Sequence, residues 1–187
     1  MRPFILFMLM AFVLPFSLSA GNIEKAVTPN MEDKSPMSHF CWGADLGGSI
    51  DMSGHDMSTI DIGANFGYKN DYLRLLGIGA SLNMMVSNSN RSFPIYGIVR
   101  TNFMNRPSLC FFDARAGVSL NYLEDNVSQA GLFLSGGIGF NLALGQKFKS
   151  HIILSYNYFD RGYYTRDGVD YNQPDLHLVS LRLGVSF

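Results

Sequence analysis

From about residue 39 onward, side chains of opposite character alternate one by one, in segments long enough to cross a bilayer at a tilt, which takes about 9 to 11 residues. The first such segment sets Phe40, Trp42, Ala44, Leu46 and Ile50 against Cys41, Gly43, Asp45, Gly47 and Ser49. The second opposes Ile60, Ile62, Ala64, Phe66 and Tyr68 to Asp61, Gly63, Asn65 and Gly67. In the third, Tyr72, Leu76, Ile78, Ala80, Leu82, Met84 and Val86 face away from Gly77, Gly79, Ser81 and Asn83. The fourth, roughly 93 to 103, is the least regular, with Ile95, Val99 and Phe103 opposite Tyr96, Ile98, Arg100 and Asn102, and its register stays open.

The second half repeats the habit more cleanly. Phe112, Ala114, Ala116, Val118, Leu120 and Tyr122 oppose Asp113, Arg115, Gly117, Ser119 and Asn121. Leu132, Leu134, Ile138, Phe140, Leu142 and Leu144 alternate with Ser135, Gly137, Gly139, Asn141 and Ala143. Ile152, Leu154, Tyr156 and Tyr158 alternate with Ser155 and Asn157, and Val179, Leu181, Leu183, Val185 and Phe187 with Ser180, Arg182, Gly184 and Ser186. A side-chain period of two is that of a strand, and no helical period interrupts it. Eight antiparallel strands are therefore expected over residues 39–187.

The connections alternate as well. Those after strands two, four and six are short and turn-like, at 69–71, 105–108 and 145–147, whereas the longest runs from Phe159 to Asp175. Short turns at one end and long loops at the other are the asymmetry of bacterial outer-membrane barrels.

A soluble eight-stranded calyx would turn its polar face to water and stock it with Lys, Glu and Thr. Here every Lys (Lys25, Lys34, Lys69, Lys147, Lys149) and every Glu (Glu24, Glu32, Glu124) falls before the first strand, in turns or at strand edges. Gly, Ser and Asn, with a few Asp and Arg, make up the polar side, which suits a narrow interior that side chains just fill. Asp45, Asp61 and Asp113 are expected to pair there with Arg100, Arg115 and Arg182, because an unpaired charge away from water costs several kcal/mol. The apolar side then faces lipid. Trp42, Tyr68, Tyr72, Phe103 and Phe187 fall near one end of it and Tyr122, Tyr156 and Tyr158 near the other, as interfacial girdles would.

The first twenty residues, MRPFILFMLMAFVLPFSLSA, place one positive charge before an apolar run that closes on small residues, the layout of a secretory signal peptide. Cleavage is expected after Ala20 or one residue earlier. Residues 21–38, polar and holding two prolines, read as a flexible exported segment. A net charge of −1 over 187 residues offers no basic surface for nucleic acid. Cys41 and Cys110 have no metal or redox spacing; a disulfide between them stays open in an oxidising compartment.

With this pattern the chain resembles the small eight-stranded outer-membrane β-barrels of the OmpA/OmpX type and the outer-membrane β-barrel domains common in Bacteroidetes. The C-terminal strand, with Val179, Leu181, Leu183, Val185 and Phe187, resembles the signal read by the barrel-assembly machinery. The resemblance implies an all-β, up-and-down transmembrane barrel in the bacterial outer membrane, in contact with outer-membrane lipid and lipopolysaccharide, monomeric, and without cofactor or metal. It also implies two alternatives to a structural, envelope or surface-contact role. One is a lipid A-modifying enzyme or protease built on rim residues His55 and His177, with Asp56 and a serine such as Ser53, Ser58 or Ser180. The other is a narrow channel through a hydrated lumen; a general diffusion pore needs more strands. In the long loop, Arg161, Tyr163, Tyr164, Arg166 and Tyr171 are residue types enriched at binding interfaces and are the candidate external contacts; the plainer reading, which is favoured, is a solvated loop touching the sugars and phosphates of the outer leaflet.

Overall fold

The structure, a computed structural model, describes residues 39–70, 73–87, 90–103, 109–122, 128–144, 148–161, 163–166, 169–172 and 174–187. The expected leader and the flexible segment after it lie outside the described residues, as do Tyr72 and most of the short-turn segments. The strands are β1 (Phe40–Asp51), β2 (Thr59–Tyr68), β3 (Leu73–Met85), β4 (Arg91–Asn102), β5 (Cys110–Tyr122), β6 (Ser128–Leu144), β7 (Lys149–Phe159), β8 (Tyr163–Arg166), β9 (Val169–Asn172) and β10 (Leu176–Ser186). Eight of them close on themselves in the order β1-β10-β7-β6-β5-β4-β3-β2. Each neighbour is antiparallel, and the seam between β1 and β10 runs from Gly43 opposite Ser186 to Asp51 opposite Leu178. Within the long loop, β8 and β9 form a separate two-stranded hairpin that the period-two pattern does not predict.

Closure pairs the backbone groups of the spanning strands with one another, which is what a hydrocarbon environment demands of a sheet. The alternation settles into two faces as expected. Leu46, Ile62, Ile78, Ile95, Val118, Leu134, Ile138 and Leu154 are all exposed on the outside. Asp45, Asp61, Asn65, Arg100, Asp113, Arg115, Ser155 and Arg182 are all buried inside. A sheet that is apolar outside and charged inside is a membrane-spanning barrel, because in water its outer belt would be one large adhesive patch.

Aromatic side chains gather at both rims of that belt. At the turn end Trp42 stacks on Phe187 with ring centroids 4.3 Å apart, and the Phe187 N–H donates to the Trp42 carbonyl at 2.9 Å. At the loop end Phe93 meets Tyr122 edge to face at 5.8 Å.

Two features depart from the sequence reading. β4 is regular: it pairs with β5 without a break from Arg91 opposite Tyr122 to Asn102 opposite Phe111, and turns Ser92, Pro94, Tyr96, Ile98 and Arg100 inward. Its apparent irregularity came from bulky residues standing on the inner side. The lumen is also less polar than expected, for Leu75, Tyr96, Ile98, Phe111, Phe133, Ile153, Phe159, Leu176 and Leu178 are buried within it.

Glycines on neighbouring strands make the room. Phe111 lies opposite Gly139, where an added Cβ would stand 2.0 Å from the Phe111 ring. Tyr96 lies opposite Gly79, where a Cβ would stand 2.5 Å from the tyrosine ring. An aromatic laid over a cross-strand glycine fills the interior without bending the sheet. Among the described residues, voids of about 20 and 10 Å³ lie in the lumen, each room for about one water.

Candidate functional site

The candidate site is the charged network across the middle of the lumen. Asp45 is the third inward residue of β1 counting from Cys41, Arg100 reaches in from β4, and Asp113 and Arg115 are successive inward residues of β5. Arg100 Nε donates to Asp113 Oδ2 at 2.6 Å and Nη2 to Asp45 Oδ2 at 3.0 Å. Arg115 Nε donates to Asp113 Oδ1 at 2.8 Å and Nη2 to Asp45 Oδ2 at 3.0 Å. Each guanidinium thus bridges both carboxylates, and all four side chains are nearly inaccessible to solvent. Two acids facing two bases leave this ring neutral, which is the condition for keeping it out of water.

Further partners tie the ring to other strands. Arg115 Nη1 donates to the Tyr96 hydroxyl at 3.0 Å, and Asn65 Nδ2 donates to Asp45 Oδ2 at 3.2 Å. His151, 1% exposed, holds Nε2 at 3.3 Å from Asp45 Oδ1. Space for that contact comes from Gly184, which pairs with both residues and whose Cβ would stand 2.3 Å from each. The sequence reading does not include His151 in the lumen network. Carrying the inward set of Ser155 and Asn157 back by two steps of two is the signal that finds it.

Asp61 and Arg182 do not complete a third direct pair. Asp61 accepts hydrogen bonds from the Ser49 and Thr59 hydroxyls. Arg182 Nη2 donates to Ser135 Oγ at 3.2 Å, to Ser155 Oγ, and to Asn157 Oδ1 at 3.0 Å. Both residues line the smaller void.

The remaining candidates sit at the loop end. The Asp51 carboxylate accepts the backbone N–H groups of Ser53, His55 and Met57 at 2.7, 2.8 and 3.2 Å, folding the first loop on itself. Ser53 Oγ accepts the His177 backbone N–H at 2.9 Å, so this loop does meet the top of β10. The His177 imidazole, however, bonds the Tyr156 hydroxyl through Nδ1 at 2.5 Å on the outer face. Ser180, three residues on, faces the lumen and accepts from Asn157. The odd spacing forces these two onto opposite faces, so they do not form a nucleophile and base. Among the described residues no group of three or more His, Cys, Asp or Glu is placed to hold a metal ion.

Arg161 differs from expectation. It is 2% exposed and its Nη1 donates to Met57 Sδ at 2.9 Å, so the folded first loop covers it and it is not an external contact. The backbones of Tyr163, Tyr164, Arg166 and Tyr171 lie in the β8–β9 hairpin; their side chains lie outside the described residues. Leu181, Val185 and Phe187 are exposed on the outer face of β10, where Val179 and Leu183 are half-buried. Cys41 faces the lumen, where its thiol donates to the Arg74 carbonyl at 3.6 Å, and Cys110 faces the other side of the sheet, so the two do not form a disulfide.

No protein-family model matches the chain, and no curated protein matches it. Among solved structures, Neisserial surface protein A is similar with 16% identity and a TM-score of 0.47, over 79% of this chain and 94% of that one. A de novo designed transmembrane β-barrel is similar with 16% identity and a TM-score of 0.44, over 84% and 98%. Ail, the attachment invasion locus protein of Yersinia pestis, crystallised with the heparin analogue sucrose octasulfate, is similar with 12% identity and a TM-score of 0.31, over 80% and 97%. Likenesses at this level assign no activity, and the barrel rests on its own strand pairing.

Proposed function

We propose that this chain is an integral protein of the bacterial outer membrane whose barrel is filled rather than open, and that it serves a structural, envelope-maintenance or surface-contact role. The observation that carries this reading is the pairing of an apolar outer belt with a lumen packed by an ion network and aromatic side chains. A lumen with voids of about 20 and 10 Å³ suits a sealed wall better than a diffusion pore. In this reading the short turns face the periplasm, while the β8–β9 hairpin and the folded first loop face outward toward lipopolysaccharide. The barrel is a monomer, and the assembly machinery takes hold of β10 through Val179, Leu181, Leu183, Val185 and Phe187.

Cell fractionation with gel electrophoresis tests it. The protein should partition with the outer membrane and migrate differently before and after boiling in detergent. Recovery as a soluble periplasmic species with a single mobility would overturn the reading. In planar bilayers the folded protein should be electrically silent, and steady ion-conducting steps would replace the sealed wall with the channel alternative.

A further inference from the structure

Asp45 and Asp113 are matched by Arg100 and Arg115 inside the barrel, and Asp61 and Arg182 bond neutral side chains; a further arginine, Arg74, enters from the turn end. The alternation of β3 would send it outward with Leu76 and Ile78. Instead the pairing with β4 slips between Leu73 and Leu75, and Arg74 is the extra residue of that bulge. Bulges re-aim side chains and are enriched beside functional sites. Arg74 is half-buried, with its guanidinium 4.2 Å from the centre of the Phe111 ring. The Arg100 guanidinium stands near enough to repel it. Among the described residues no carboxylate forms an ion pair with it, and Lys69 and Lys149 add positive charge at the same rim.

Arg74 lines the larger void together with Arg100, the Asn65 amide, the Cys41 thiol and His151. His151 Nδ1 is buried there without a hydrogen-bond partner. Because Nε2 carries the hydrogen that meets Asp45, Nδ1 is an acceptor; the cations on the void are Arg74 and Arg100, and the void measures about 20 Å³. We propose that it is a binding site for one small monovalent anion of halide size, held by Arg74 at the turn-end mouth of the lumen. The bulge supplies the direction and Arg74 the charge, while the Phe111 ring holds the guanidinium in place. This inference rests on the barrel geometry and not on the membrane role proposed above.

The test uses the full chain refolded in detergent, with chloride NMR linewidth as the readout. Wild type should broaden the chloride signal in a saturable way that bromide competes. Arg74→Gln should bind about tenfold more weakly, the loss of a charge-assisted hydrogen bond, while keeping its gel shift on boiling. Equal broadening by wild type and Arg74→Gln, or none by either, overturns the proposal. Should Arg74→Gln fail to fold, crystals of the wild-type protein grown in bromide decide the matter. An anomalous peak beside the Arg74 guanidinium supports the site, and a void holding only water overturns it.

Discussion

At the scale of single residues, Asp45 bears the most. It accepts from Arg100, Arg115 and Asn65 and meets His151, so four strands converge on one carboxylate. Replacing it with Ala strands two buried guanidinium groups with only Asp113 between them. Breaking a buried ion pair from one side costs about 3–5 kcal/mol. Equilibrium urea unfolding of the barrel in lipid vesicles should show Asp45→Ala destabilised by about that much; a change under ~1 kcal/mol would mean the ring is solvated. The same scale shows what local sequence conveys. That Asp45, Arg100, Asp113 and Arg115 face inward is written in their parity with neighbouring Gly and Ser. That Asp61 answers to Ser49 and Thr59 instead of Arg182 is not, because it depends on how far each side chain reaches across the lumen. Phe111 and Tyr96 were illegible for a related reason: the room for them is Gly139 and Gly79, on other strands.

At the scale of elements, the strands were legible wherever one face was uniformly apolar, as in β2 and β5, since a one-residue slip would bury the wrong set. β4 was the hardest because Pro94, Tyr96 and Ile98 stand on its inner face and blur the contrast. The β8–β9 hairpin was missed because its strands are only four residues each. The outer face of β3 offers a sharp test. Ile78 is 68% exposed, and in a water-soluble protein such a position tolerates Arg with little effect. In the middle of a bilayer Arg costs about 2–4 kcal/mol. Ile78→Arg should show a loss in that range when unfolding is measured in lipid vesicles, and a neutral result would place β3 outside lipid. β10 carries a different expectation. Deleting Phe187 removes its stack on Trp42 and its N–H bond to the Trp42 carbonyl but leaves the β1 ladder from Gly43 onward and the β7 ladder paired. The yield of membrane-inserted protein in cells should fall severalfold while barrels that do insert unfold at nearly the wild-type urea concentration; equal loss in both would make Phe187 a packing residue and nothing more.

At the scale of the whole molecule, an inverted distribution of polarity explains most of what is seen. The strands close so that no edge is left, the charges turn in and neutralise one another, and aromatic rings fill the space that small residues leave. The outer belt, between rims of Trp, Tyr and Phe, then has only hydrocarbon as a fitting solvent. Trp42 reports on this directly, because it is the chain's one tryptophan and it lies on the outer face against Phe187. Refolded into vesicles of brominated phospholipids, the protein should lose most of its tryptophan fluorescence, with bromines near the headgroup end of the acyl chains quenching best and aqueous iodide quenching little. Fluorescence untouched by brominated lipid at any depth, yet quenched freely by iodide, would contradict the claim that this face meets the membrane.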